Sequence, residues 1–166
     1  MNFLRRFVER RLMRRLPIPD EDQVTRSIYN PPMGRDLANL IWPEPFQFSS
    51  NNNYCESVIW REFVRKISRV HKIGCKRQRQ LRAQGRDKTY TGALTAVVAD
   101  IRKFRNQNDH GFSVIHEPGE GIHHAHIAYD LSATSQLTKG DKMDLRWALK
   151  LIFDEKAPHK CPEDQR

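Results

Sequence analysis

Five of the chain's seven histidines fall between positions 110 and 126: His110, His116, His123, His124 and His126. The residues around them, 112–117 and 122–129, are rich in β-branched and aromatic side chains. Pro118, Gly119, Glu120 and Gly121 between them are turn formers, so the pattern predicts an antiparallel hairpin. Side chains alternate faces along a strand. Ile122, His124, His126 and Ala128 therefore share one face, with His124 and His126 roughly 6–7 Å apart. A tight turn would set His116 opposite His123, and turn length decides that register.

Two imidazoles on one strand face suit two kinds of chemistry. Imidazole is a good ligand for zinc, copper, iron or nickel, with Asp130, Glu117 or His110 as a third donor. The same rings can instead act as a general acid and base near neutral pH. The candidate catalytic set is His124, His126 and His116. The spacing singles out no metal site and identifies no cofactor. The plain alternative is an amphipathic strand whose histidines only pack.

His124-Ala125-His126 resembles the His-hydrophobic-His pair of single-strand nickases, a match of three residues. Those enzymes hold a metal on a strand and cut with a tyrosine. The resemblance implies an upstream tyrosine, Tyr29 or Tyr54, because none follows Tyr129. Arg105 and His110, with four residues between them, resemble the signature of helical HEPN-type ribonucleases. That family is all-α, whereas this motif runs into a predicted hairpin.

The charge distribution sets the context for such a site. The net charge of +9 is concentrated in two blocks. Residues 1–16 carry +5, residues 65–88 carry +9, and the remainder sums to −5. Basic blocks on a mildly acidic body point to a polyanionic partner. Lys72, Lys76, Arg77, Arg79, Arg82, Arg86 and Lys88 are the candidate phosphate contacts, a role that needs charge density and carries no sequence preference.

Residues 3–16 show the spacing of an amphipathic helix with an Arg-rich face. It suits a protein partner, with a membrane surface as the weaker alternative. Residues 17–53 are proline-containing and read as an irregular arm. Residues 54–156 read as the core domain and 157–166 as a polar tail. Within the core, Ile59, Phe63, Ile67 and Val70 predict a helix over 56–72, and Gly74 its end. Residues 91–105 predict a second helix, with Leu94, Val97, Val98, Ile101 and Phe104 buried. Asp141 caps a last helix through 154 that packs through Met143, Leu145, Trp147, Leu151 and Ile152. The expected fold is a small single α+β domain in which two helices, the hairpin and a further helix follow one another, with the helices on one sheet face.

Cys55, Cys75 and Cys161 are odd in number and far apart, which predicts thiols in a reducing compartment, hence the cytoplasm. No apolar run reaches membrane-spanning length, and charges interrupt the first residues too often for a secretory signal. Two functions follow. One is nucleic-acid binding, RNA before DNA, with His-dependent phosphodiester chemistry at the hairpin as its enzymatic form. The other is a non-enzymatic accessory subunit that docks through its basic segments and N-terminal helix.

Overall fold

The computed structural model describes residues 15–30, 46, 48, 55–131 and 137–165. The amphipathic helix expected over 3–16 and most of the proline-containing arm lie outside these residues.

Strand β1, Gln23–Asn30, forms inside the stretch expected to be an arm. Val24 and Ile28 point into one core at 0% and 3% exposure, and Thr25 is buried on the opposite face. β1 lies between β2, Cys55–Trp60, and β3, Thr89–Val97, and pairs antiparallel with both. The hairpin follows as β4, Gly111–His116, and β5, His124–Asp130. A short β6, Glu155–Pro158, adds to β3. The described strands form one sheet in the order β4-β5-β2-β1-β3-β6, and its pairings are antiparallel.

Among the described residues three α-helices complete an α+β fold: α1, Ile67–Ala83, α2, Val98–Lys103, and α3, Lys139–Ile152. They do not share a face. α2 and α3 bury Ile101, Leu145, Ala148 and Leu149 against Val24, Val58, Leu94, Val114 and Ile127. α1 lies on the other face, where Val70 and Ile73 meet Ile59 and Ala93.

The helix expected over 56–72 is a strand, a turn and the start of α1. The helix expected over 91–105 is most of β3 followed by six residues of α2. The cause is the same in both. The middle of the sheet is covered on both faces, so Val58, Ile59 and Trp60 are all buried, as are Ala93 to Ala96. Consecutive burial removes the alternation that marks a half-exposed strand. In α3, Thr138 accepts from Asp141 N–H, and the Asp141 side chain returns to Thr138 N–H. Thr138 is therefore the N-cap and Asp141 the third residue of a capping box. Met143 and Leu151, expected to pack, are 47% and 73% exposed, and the inward stripe is Leu145, Ala148 and Leu149.

The polar tail is part of the body. β6 pairs with β3, and Cys161 forms a disulfide with Cys75 across a separation of 86 residues. That corrects the expectation of separate thiols. Such a bond persists in oxidising surroundings, so the cysteines no longer argue for a cytoplasmic location. No helix among the described residues is long and apolar enough to cross a membrane.

Gly74 marks the closest approach of α1 to the sheet. It lies inside the helix rather than at its end, and a Cβ built there falls 2.4 Å from the ring of the fully buried Tyr90. Replacing Gly74 with alanine is expected to destabilise the fold by about 1–3 kcal/mol through overpacking, despite alanine's better helix propensity. Urea unfolding measures it, and a neutral or stabilising change would refute the close packing.

Candidate functional site

α1 is the basic element of the body. The segment Ile67–Ala83 contains no acidic residue. Val70, Gly74, Gln78 and Leu81 fix its buried face at helical spacing, and Cys75 is buried beside them. Arg69, Lys72, Lys76 and Arg79 then fall in one stripe on the far side, all exposed. The stripe spans about 15 Å at a rise of 1.5 Å per residue. Arg77 is exposed on the flank toward β1, near enough to Tyr29 for its charge to be felt there. Among the described residues, no ion-pair partner is recorded for Arg69, Lys72, Lys76 or Arg77. Arg86 is exposed beyond the helix end and Lys88 is half-buried. Arg65, Lys66 and Arg69 extend the exposed basic surface toward the helix start, and the candidate set did not include them.

Arg79 and Arg82 differ from the rest. Arg79 pairs with Glu163 at 3.5 Å. Arg82 donates to Asp164 at 2.8 Å and to Thr89 Oγ1 at 3.0 Å. The C-terminal segment lies along this flank of α1. The His159 and His71 rings stack at 4.2 Å, nearly parallel, and His71 also meets the Tyr90 hydroxyl at 2.9 Å. Burial, then the neighbouring His159 and Arg61, pulls the His71 imidazole below its ordinary range. Two residues beyond His159 the disulfide forms, and three further on Asp164 reaches Gln78 and Arg82.

Beside α1, no described helix covers the same sheet face over β4, β5 and the start of β2. By register, Ile115, His126 and Ser57 form one row across β4, β5 and β2, and Ser113, Ala128 and Cys55 form the next. These side chains are exposed or half-buried. His124 and His126 share this face as expected, with ring centroids 4.6 Å apart. His126 is half-buried and His124 is 9% exposed, its Nδ1 3.3 Å from the Glu117 carbonyl.

His116 does not join them. The loop from 117 to 123 contains a 3-10 turn, Pro118–Glu120, and pairs His116 with Ala125 rather than His123. Its side chain points to the opposite face, 1% exposed, with Trp60 at 5.0 Å and Phe63 at 5.8 Å. Nδ1 accepts from Leu16 N–H at 3.1 Å, and Nε2 lies 2.8 Å from the Ile122 carbonyl, to which it donates. His116 thus holds the hairpin loop to the segment before β1. His116→Ala should destabilise the protein by about 2 kcal/mol, since it strands both backbone partners, whereas His126→Ala should change stability by less than about 0.5 kcal/mol. Denaturant midpoints of the two variants decide this, and equal effects would contradict the assignment.

The other expected arrangements also come apart. His110 is buried at 0% exposure, and Arg105 pairs with Asp130 at 2.6 Å. Tyr29 lies under α1, where its hydroxyl donates to the Gly74 carbonyl, and Tyr54 is outside the described residues. Among the described residues no three histidine, cysteine or acidic side chains gather as a metal site. No family model matches the chain, and no curated protein or solved structure matches it either.

Proposed function

We propose that the protein binds single-stranded nucleic acid, RNA before DNA, along α1 and the open sheet face beside it. The observation that carries this is the acid-free α1, with four exposed cations in or beside one stripe and no recorded ion-pair partner for them among the described residues. A solvated cationic stripe neutralises phosphates and releases their counterions. The open rows of β4, β5 and β2 offer a flat floor on the same side. Sequence-specific RNA recognition uses unstacked bases that lie against rings such as histidine, and His126 is the ring on that floor.

The three histidines expected to work together lie on opposite faces of the sheet, which separates His116 from the His124–His126 pair. Docking of the same basic helix on an acidic protein is the alternative, and it is separated by the same experiment.

That experiment measures binding to labelled single-stranded RNA, single-stranded DNA and duplex DNA over a salt series. Single-stranded RNA should bind best, with affinity falling by a constant power of the salt concentration. Absence of binding to all three at low salt would refute the reading.

A further inference from the structure

The C-terminal segment pairs with part of the basic helix. Residues 159–164 run beside α1 in the same direction as the helix. His159 faces His71, Cys161 is bonded to Cys75, and Asp164 reaches Arg82. The spacing fits, because four helical residues advance about 6 Å and two extended residues about 6.6 Å. The last contacts are acidic. Glu163 takes Arg79, and Asp164 takes Arg82 and Gln78. Both arginines belong to the candidate phosphate-binding set, and in this state their partners are carboxylates of the same chain.

We propose that residues 155–165 form a redox-controlled autoinhibitory strap, in which the Cys75–Cys161 bond holds Glu163 and Asp164 on Arg79 and Arg82, and reduction frees both arginines for nucleic-acid phosphates. This rests on the nucleic-acid reading of α1. The reductant is a dithiol. Its thiolate attacks one sulfur, and the other leaves as a thiolate that takes a proton. The second thiol of the reductant then closes on the mixed disulfide. The dithiol becomes a cyclic disulfide, and two electrons and two protons pass to Cys75 and Cys161. Cys75 is 5% exposed and Cys161 0%, so attack requires the strap to lift briefly, which makes reduction slow compared with that of an exposed disulfide.

Without the bond, the strap keeps a four-residue edge strand, the histidine stack, the exposed Arg79–Glu163 pair and the half-buried Arg82–Asp164 pair with its Gln78 hydrogen bond. The exposed Arg79–Glu163 pair holds weakly against competing phosphate and salt, and the tethering bond is what keeps the Arg82–Asp164 pair closed against them. On release, α1 loses two neighbouring negative charges and regains two cations.

The test compares oxidised protein, dithiothreitol-reduced protein and a Glu163→Gln, Asp164→Asn variant kept oxidised. Each is titrated with a labelled oligouridylate over a salt series, and hydrogen exchange at 155–165 is followed in parallel. Reduction should raise exchange in the strap while β1, β2 and β5 stay protected. It should tighten binding by about 10–25-fold near 0.1 M salt and steepen the log–log salt slope by about 1.4, the value for two added phosphates on a single strand. The oxidised variant should show part of that gain. A strap that stays protected after reduction overturns the inference. So does a released strap with unchanged affinity, and neither result touches the reading of α1 while the oxidised protein still binds. If reduction loosens the whole sheet, the oxidised variant decides, and no gain in it overturns the inference. Absence of binding in every state removes the nucleic-acid reading and this inference together.

Discussion

Replacing Arg69, Lys72, Lys76 and Arg77 together with glutamine should weaken binding of single-stranded RNA by several hundred-fold near 0.1 M salt. The figure follows from counterion release. Each phosphate contact on a single strand contributes a slope of about 0.7 in log affinity against log salt. Four contacts amount to a slope of about 2.8, and between about 1 M and 0.1 M salt that is roughly 600-fold. The salt slope is the sharper readout, since it counts contacts and is insensitive to a general loss of active protein. These four side chains are exposed, and glutamine keeps helix propensity close to that of lysine and arginine, so the variant should fold normally. Lys103→Gln and Lys139→Gln, exposed on α2 and α3, control for net charge and should shift the slope little. A four-site variant whose slope equals that of the parent would place the polyanion surface elsewhere or nowhere.

The basic helix and the hairpin were legible in the sequence for simple reasons. The charges of 65–88 stand on the surface in every plausible fold, because a buried unpaired cation is prohibitively costly. Only their conformation was open, and the burial of Cys75, Gln78 and Leu81 settles it as helix. The hairpin carried two independent signals, a turn cluster at 118–121 and period-two patterning on either side. His124 and His126 share a face in any register, so their pairing survived, whereas the position of His116 depended on loop length.

The misread elements are those covered on both sides. Ile59, Phe63, Ile67 and Val70 do recur at helical spacing, yet they come from β2, a turn and α1. Ile59 and Val70 lie in one small core with Phe63 packed against it, while Ile67 is exposed, so a tertiary cluster imitated most of a helical stripe. β1 was obscured differently. Gln23, Arg26, Ser27 and Asn30 dilute its apolar residues, and Arg26 occupies a core-facing position that patterning assigns to an apolar side chain. The strap was hidden because three cysteines leave one over, and pairing Cys75 with Cys161 requires knowing that β6 returns to β3.

Arg26 is also the site of the largest expected loss of stability. Its Nη2 lies 2.5 Å from Glu56 Oε2, with the Glu56 side chain 4% exposed and that of Arg26 22%. Its Nη1 donates to the Ser57 carbonyl at 2.6 Å. Burial pushes the Glu56 carboxyl up to about 7, against the pull of Arg26 and Arg146. Desolvation therefore outweighs the pairing. Between the unfolded value of 4.5 and the folded value of about 7 the folded state binds more protons. This group's contribution is present in full below pH 4.5 and is lost as pH rises through about 7, a difference of about 3 kcal/mol. Arg26→Met at pH 8 removes the partner of a buried carboxylate and should cost about 3–5 kcal/mol. At pH 5 Glu56 is protonated in the folded state, and the same substitution should cost about 1–2 kcal/mol, the value of a lost hydrogen bond and some packing. Glu56→Gln should flatten the pH dependence, since an amide of the same shape cannot titrate. Urea unfolding of the three proteins from pH 5 to 8 gives all these numbers. A cost for Arg26→Met that is the same at both ends would mean that Glu56 is charged throughout, and that the guanidinium holds it so.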